Sequence, residues 1–433
     1  MKKIVLSLAG VLAATAFAPE ASAVPAFARQ VGMACTACHS QHFPVLNSFG
    51  RSFKAAGFTM MGSQGKVEGD HMSLPDTLNA SIVMKIRYQD DNRPGPTTAG
   101  NAGLQNVGGG QWQFFDEFAL LFGGRVAENV GFLLEAQMID TAPLMASFKM
   151  PFTFDMGGAK LSAIPFQTDG LGAQYGYELS SGGVVRNVRW AEHGPETSAL
   201  MYNATTGVNK GAASGIALVA QNDMGFINLT KWAAGQLNSG GVDLDSNYIR
   251  IAATPTWNDW AMVVGLGRMS GSSFSTVNAA PTTVAIVGAT TVVTPAVAGA
   301  TVDTDQTFFD FQAQGEVAGK ELAVYFQHAK APATVNKNAY NTGAIGNPDR
   351  KATTIGADYS VIPHVLTIGA AYRNADTGGA AATNGDDAWT ITGVYDLYQN
   401  VAFHLNYSNY SGSAHNAVNA LKNKTTVMLE AAW

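Results

Sequence analysis

The chain has 433 residues and a formal net charge of −6, and only 13% of it is Asp, Glu, Lys or Arg, about half the share of an ordinary soluble domain. Glycine fills 47 positions, aromatics 10% and hydrophobic residues 46%, which is too apolar for a disordered chain and lacks the triplet period of collagen. Beyond the N-terminus no run of about 18 uncharged apolar residues occurs, which argues against membrane-spanning helices; the acidic balance argues against nucleic acid as the main partner. β-rich classes remain, membrane β-barrels among them.

Residues 1–23 read as a secretory signal peptide. Lys2 and Lys3 open it, Ile4 to Ala18 are apolar, and Ala21-Ser22-Ala23 is a small-residue cleavage site. The apolar stretch is short for a membrane anchor.

The two cysteines stand in Cys35-Thr36-Ala37-Cys38-His39. In an exported chain such a pair can be a disulfide, a redox couple or half of a zinc site. The adjacent histidine points to attachment of one haem c. Two thiols three residues apart add across the two vinyl groups of a porphyrin, and His39 then binds the iron from one face. A zinc site needs a second ligand pair at its usual spacing, and none stands out.

Over residues 44–56, Leu46, Phe49 and Phe53 recur at helical spacing, with Pro44 near the start and Gly57 just past the end. Together with Phe43 they are the candidates for packing on the haem. Arg29, Arg51 and Lys54 flank the segment as propionate partners, as plug-docking groups or as solvated charges. Residues 24–73 form the expected cytochrome domain, which is too small for a secure core of its own and needs walls from the rest of the chain. The second axial ligand stays open among Met60, Met61, Met72, His42, His71 and the barrel wall, with Met60 the first choice.

From residue 74 to 433 short stretches alternate with a period of two. Ile82, Met84, Ile86 and Tyr88 oppose Ser81, Lys85 and Arg87; Leu366, Ile368, Ala370 and Tyr372 oppose Thr367, Gly369 and Arg373; Val401, Phe403, Leu405 and Tyr407 oppose Ala402, His404, Asn406 and Ser408. Tight turns are expected at 128–129, 222–223, 258–259, 318–319, 363–364 and 399–400. Longer stretches lie between them at 90–110, 236–246, 270–304, 331–350, 374–387 and 411–424. Short turns at one rim and long loops at the other mark an outer-membrane barrel. Tyr88, Trp257, Trp260, Tyr372, Tyr395 and Tyr398 fall near strand ends, where aromatic girdles belong, and the chain closes on an alternating strand ending in Trp433. At roughly 20 to 24 residues per strand and loop, the expectation is an all-β transmembrane barrel of about 16 antiparallel strands, with the α-helical haem segment plugging its lumen.

Val24-Pro25-Ala26-Phe27-Ala28-Arg29-Gln30, the Cys35–His39 motif, and Phe43-Pro44-Val45-Leu46-Asn47-Ser48-Phe49-Gly50-Arg51-Ser52-Phe53-Lys54-Ala55-Ala56-Gly57-Phe58 together resemble the fused monohaem cytochrome–porins of iron-oxidising bacteria. The motif resemblance covers about residues 24 to 60. It implies an outer-membrane ferrous iron oxidase in which Cys35 and Cys38 are thioether sites, His39 is the iron ligand, extracellular ferrous iron is the electron donor and a periplasmic carrier is the acceptor. Two other functions fit the same residues: outward electron transfer to an external acceptor, and a porin with a structural or sensory haem plug. Asp90, Asp91, Asp303 and Asp305 lie in the expected long loops, where carboxylates suit ferrous iron but serve equally as solubilising charge.

Overall fold

The computed structural model describes residues 25–39, 46–95, 107–138, 145–179, 199–204, 211–235, 243–275, 283–287, 290–294 and 300–433. The expected signal peptide, and His42, Phe43 and Pro44, lie outside the described residues.

The wall of the molecule begins with β1 (Ala80–Asp91), β2 (Gln111–Ala127), β3 (Val130–Gln137), β4 (Met145–Lys149 and Phe152–Asp155), β5 (Lys160–Thr168) and β6 (Ala213–Asn222). It continues through β7 (Gly225–Ala234), β8 (Ser246–Ala253 and Thr256–Trp257), β9 (Trp260–Ser270), β10 (Gln306–Val317) and β11 (Lys320–Ala331). β12 (Arg350–Ile362), β13 (Leu366–Thr377), β14 (Asp387–Tyr398), β15 (Val401–Ser411) and β16 (Asn423–Ala432) complete it. Neighbours pair antiparallel throughout, and the sheet closes into a barrel of 16 strands among the described residues. β4 and β8 are each interrupted at a proline, Pro151 and Pro255, which has no N–H for the ladder; their carbonyls still accept from Gly131 and Met262 at 3.0 and 2.9 Å. Closure sets Val427 of β16 opposite Tyr88 of β1. Trp433 and Ile82 add a reciprocal backbone pair of 3.0 and 2.8 Å.

Alternation sorts the side chains as the sequence implies. β1 buries Ser81, Val83, Lys85, Arg87, Gln89 and Asp91 toward the lumen and turns Ile82, Met84, Ile86 and Tyr88 outward. On β6 to β8, Ile216, Leu218, Ile227, Leu229, Ile249 and Ile251 form adjacent exposed rows. An apolar belt of that extent demands hydrocarbon against it. β10 to β15 run 11 to 13 residues each, which covers the ~9–11 that a tilted strand needs to cross a bilayer. The protein is an outer-membrane β-barrel.

All six expected tight turns lie at one rim, joined there by a seventh at 156–159. At Asn258-Asp259 both residues take positive φ, 46° and 64°, the conformation of a two-residue hairpin turn matched to strand twist. Trp257, Tyr398 and Trp433 stand exposed at this rim, while Trp112, Tyr372, Trp389 and Tyr407 stand exposed toward the other. The stretch 270–304, expected as loop, is partly folded: Ser272–Ser275 pairs with Ala300–Asp303, and Thr283–Val287 with Thr290–Thr294.

Ahead of the barrel come α1 (Pro25–Val31), α2 (Ser48–Ala55) and a hairpin of Lys66–Gly69 with Met72–Pro75. The barrel wall therefore starts at Ala80, six residues later than the expected boundary at 74. α2 likewise starts later than the spacing implied. Asn47 is its N-cap, accepting from the Gly50 N–H at 2.9 Å, and a capping residue holds extended rather than helical backbone. Leu46 consequently lies outside the helix, bridged to His39.

Candidate functional site

The N-terminal segment occupies the short-turn mouth of the lumen. Gln30, fully buried, donates to the Phe58 and Met60 carbonyls at 2.7 Å each and accepts from the Arg125 N–H of β2 at 2.9 Å. Gln221 of β6 donates to the Ala55 carbonyl at 2.5 Å, and Arg51 donates to Gln314 of β10. Phe27 stacks on Phe58 with ring centroids 4.9 Å apart and meets Phe53 edge-on at 5.3 Å, the group packing against Leu133 of β3. Each such ring pair adds ~0.5–1.5 kcal/mol beyond its burial. α1 and α2 thus find in the wall the core that a chain of about 50 residues lacks.

The cysteine motif sits on this plug. Cys35–Ala37 form a single 3-10 turn, closed by the Cys38 and His39 N–H groups on the Cys35 carbonyl at 3.0 and 2.9 Å. Residues three apart eclipse in a 3-10 turn, so Cys35 and Cys38 project from one face and His39 follows at the end of the turn. Both cysteines are thiols rather than a disulfide; burial pushes the Cys38 thiol up from its ordinary value. Cys35 and His39 are buried. Two thiols on one face and an imidazole beside them form a donor set with the right chemistry for a porphyrin carried on two thioethers. Among the described residues no group of three His, Cys, Asp or Glu side chains is placed to hold a metal ion.

The other expected residues divide. Phe49 is half-buried on α2, while Phe53 turns into the plug–wall cluster. Of the three flanking cations, Arg29 donates to the Ala80 carbonyl at 2.5 Å and Arg51 to Gln314, so both dock the plug on the barrel. Burial lowers the Arg51 guanidinium to about 10, against the opposing influence of Tyr325, which leaves it charged at neutral pH. Lys54 is half-buried on α2. Met60 packs against Val31, Phe53 and Phe58. Met61 is half-buried, whereas His71 and Met72 are exposed on the hairpin. Asp91 pairs with Arg93 at 2.6 Å, and Asp303 accepts from Asn336 at 3.3 Å.

A second inward segment escapes the sequence reading: residues 173–179 and 199–204 of the connection from β5 to β6 lie inside the barrel. Lys149 of β4 donates to the Tyr175 carbonyl at 2.9 Å, and Tyr175 donates to Ser147 at 3.1 Å. Farther along the wall Glu178 meets Arg250 of β8 at 2.7 Å, and Arg250 also pairs with Asp310 of β10 at 2.6 Å, all three fully or almost fully buried. α3 (Ala199–Ala204) continues the segment, with the Leu200 N–H on Gln327 at 3.0 Å and Asn203 donating to Gln306 at 2.7 Å. Its signal in sequence is the 44-residue interval between β5 and β6, rich in buried Tyr and Leu: Tyr175, Tyr177, Leu179, Leu200 and Tyr202.

Toward the long-loop mouth, Tyr202 lies between two guanidinium groups, Arg350 at 4.2 Å and Arg373 at 4.6 Å from its ring centre. Asp386 gathers the surrounding donors: Tyr202 at 2.8 Å, Arg373 at 2.8 Å and His415 at 2.9 Å. From one mouth to the other, the lumen holds the cysteine-bearing plug, the β5–β6 segment and this charged cluster.

No protein-family model matches the chain, and no curated protein does. Among solved structures the barrel is similar to the outer-membrane channel DcaP of Acinetobacter baumannii, at 10% identity over 82% of this chain and 97% of that one, TM-score 0.48. It is also similar to OmpT of Vibrio cholerae, at 12% identity over 85% and 100% of the two chains, TM-score 0.44, and to opdK of Pseudomonas aeruginosa, at 12% over 82% and 98%, TM-score 0.42. Likeness at this level carries no argument about activity; the barrel rests on its own strand pairing.

Proposed function

We propose that the protein is an outer-membrane electron conduit that oxidises extracellular ferrous iron through one haem c and passes the electron to a soluble periplasmic carrier. The observation that carries this reading is the Cys35–His39 turn, held on a plug bonded to the lumen wall at the short-turn mouth. Cys35 and Cys38 would hold the group by thioether bonds and His39 by its imidazole. When bound, it supplies a one-electron iron couple tuned by its axial ligands and burial.

The chain's own residues do the rest. Gln30 and Arg51 fix the plug to the wall. The β5–β6 segment, held by Lys149 on β4, Arg250 on β8 and Gln327 on β11, fills part of the lumen and opposes bulk flow of ions. At the short-turn mouth a cleft of about 160 Å³ opens beside Asn47, Ser48 and Arg51, edged by Asp259, Glu316 and Glu321. Carboxylates there steer a carrier with a basic face. In the reaction each ferrous ion loses one electron to become ferric, and that electron leaves with the carrier.

A second reading, a porin with a structural plug, is supported by the porin-like barrel itself. Anaerobic mixing of the oxidised full-length protein with ferrous iron separates the two. Rapid appearance of reduced-haem absorption bands supports the conduit. A protein without covalent haem, or one that stays oxidised across the pH range while passing large ion currents in planar bilayers, supports the porin.

A further inference from the structure

The attachment turn is joined to the barrel only through the chain that follows it, and hydrogen bonds set its position on the plug. Hydrogen bonds converge on the Asn47 side chain and its backbone. The Asn47 Nδ2 donates to the carbonyls of Thr36 at 3.3 Å and Ala37 at 3.1 Å, the two residues between the cysteines. Its backbone N–H donates to the Cys38 carbonyl at 2.9 Å. Its Oδ1 accepts from the Gly50 N–H at 2.9 Å and so caps α2. From there the chain of contacts runs outward: the Asn47 carbonyl accepts from Arg51 Nε at 3.4 Å, and Arg51 Nη2 donates to Gln314 on the barrel wall.

We infer that Asn47 is the positioning residue that ties the Cys35–His39 turn to α2 and, through Arg51 and Gln314, to the barrel. This rests on the haem c reading above. The amide is suited to the task because it offers two donors and an acceptor on one short side chain. Both carbonyls it engages belong to the stretch that sets the separation and direction of the two thiols. Loosening it lets the turn rotate against α2, which changes the orientation of the His39 imidazole and the exposure of the group it ligates.

The test separates the cap from the clamp. Asn47→Asp and Asn47→Ser keep an oxygen acceptor for Gly50, and both residue types are good N-caps, but each loses the amide donors to Thr36 and Ala37. The full-length protein is exported, matured and purified with each substitution. Three quantities are read: covalent haem per chain, the low-temperature electron paramagnetic resonance spectrum and the midpoint potential. Wild type is expected to carry one haem in a single low-spin species. Both variants are expected to keep the heat-modifiable barrel and to show a second spectral species and a potential shifted negative, with Asp shifted more because its carboxylate faces two carbonyl oxygens. Loss of haem attachment from an intact variant barrel also supports the clamp. Loaded variants with the wild-type spectrum and potential overturn it. Absence of haem from the wild type instead sinks the conduit reading itself, and the clamp with it.

Discussion

The Tyr202 hydroxyl donates to the Asp386 carboxylate at 2.8 Å, joining α3 inside the lumen to the connection between β13 and β14. The same carboxylate accepts from Arg373 at 2.8 Å and faces His415 at 2.9 Å. Burial acts to raise the Asp386 carboxyl, but the His415 contact, the Arg373 charge and the Tyr202 hydroxyl together outweigh it and hold it at about 2, down from 3.8.

A carboxyl depressed by folding stabilises above its unfolded value and loses that contribution as pH falls through its folded value. The stabilisation is therefore complete above about pH 4 and vanishes toward pH 2, and a shift of just under two units corresponds to about 2 kcal/mol. Limited proteolysis of the 379–386 and 412–422 connections is expected to be flat from pH 7 to 4 and to accelerate below pH 3. Acceleration centred above pH 5 contradicts this assignment.

Arg250 is the buried cation shared by Glu178 and Asp310. Arg250→Met leaves two carboxylates facing each other in the lumen, and removing one partner of a buried pair costs about 3–5 kcal/mol. The stabilising contact on the β5–β6 segment goes with it. Single-channel recordings are expected to show larger and more frequent openings than wild type, while the barrel keeps its heat-modifiable mobility. Unchanged conductance would show that Arg250 does not help close the lumen.

Phe53 tests the plug rather than the wall. Truncating a buried Phe costs about 3–5 kcal/mol, and here the loss falls on a cluster with Phe27, Phe58 and Leu133. Phe53→Ala is expected to expose residues 46–65 to protease at conditions where wild type is resistant, with the strands still protected. Equal resistance in the two proteins would mean that polar contacts such as Gln30 and Gln221 hold the plug unaided.

How much of this was legible depended on what each residue faces. Strands β1, β13 and β15 read directly because lipid on one side and a polar lumen on the other impose a strict period of two, as in Ile82 to Tyr88 against Ser81 to Arg87. The tight turns read as well, since residues such as Asn258 and Asp259 tolerate positive φ. The β5–β6 segment did not, because Tyr175, Tyr177 and Leu200 pack on other lumen residues and impose no period. Plug docking was one of three readings of Arg29 and Arg51, but the sequence did not show where they dock. Their targets, the Ala80 carbonyl and Gln314, lie 51 and 263 residues away, and long-range pairing of that kind leaves no local pattern. The cysteine motif was visible as a motif, since Cys35, Cys38 and His39 fall within five consecutive residues.

Gly131, at the start of β3, reports how closely the plug approaches the wall. A Cβ built there would run into the Gly57 carbonyl and lie 3.3 Å from Phe58 Cβ. Gly57 follows the end of α2 with a φ of +69°, and the Gly57 and Phe58 N–H groups are bonded to the Lys54 and Phe53 carbonyls at 3.0 and 3.2 Å, which ties this backbone to the helix end. Gly131→Ala therefore forces the end of α2 off the wall, and overpacking of this kind costs about 1–3 kcal/mol. Spread over the docking equilibrium, that is roughly a fivefold to 150-fold rise in opening. Amide hydrogen exchange is expected to accelerate by that factor across residues 48–58 and to stay unchanged in β10 to β15. Acceleration confined to β3 would instead mean that the strand, not the plug, yields to the added methyl group.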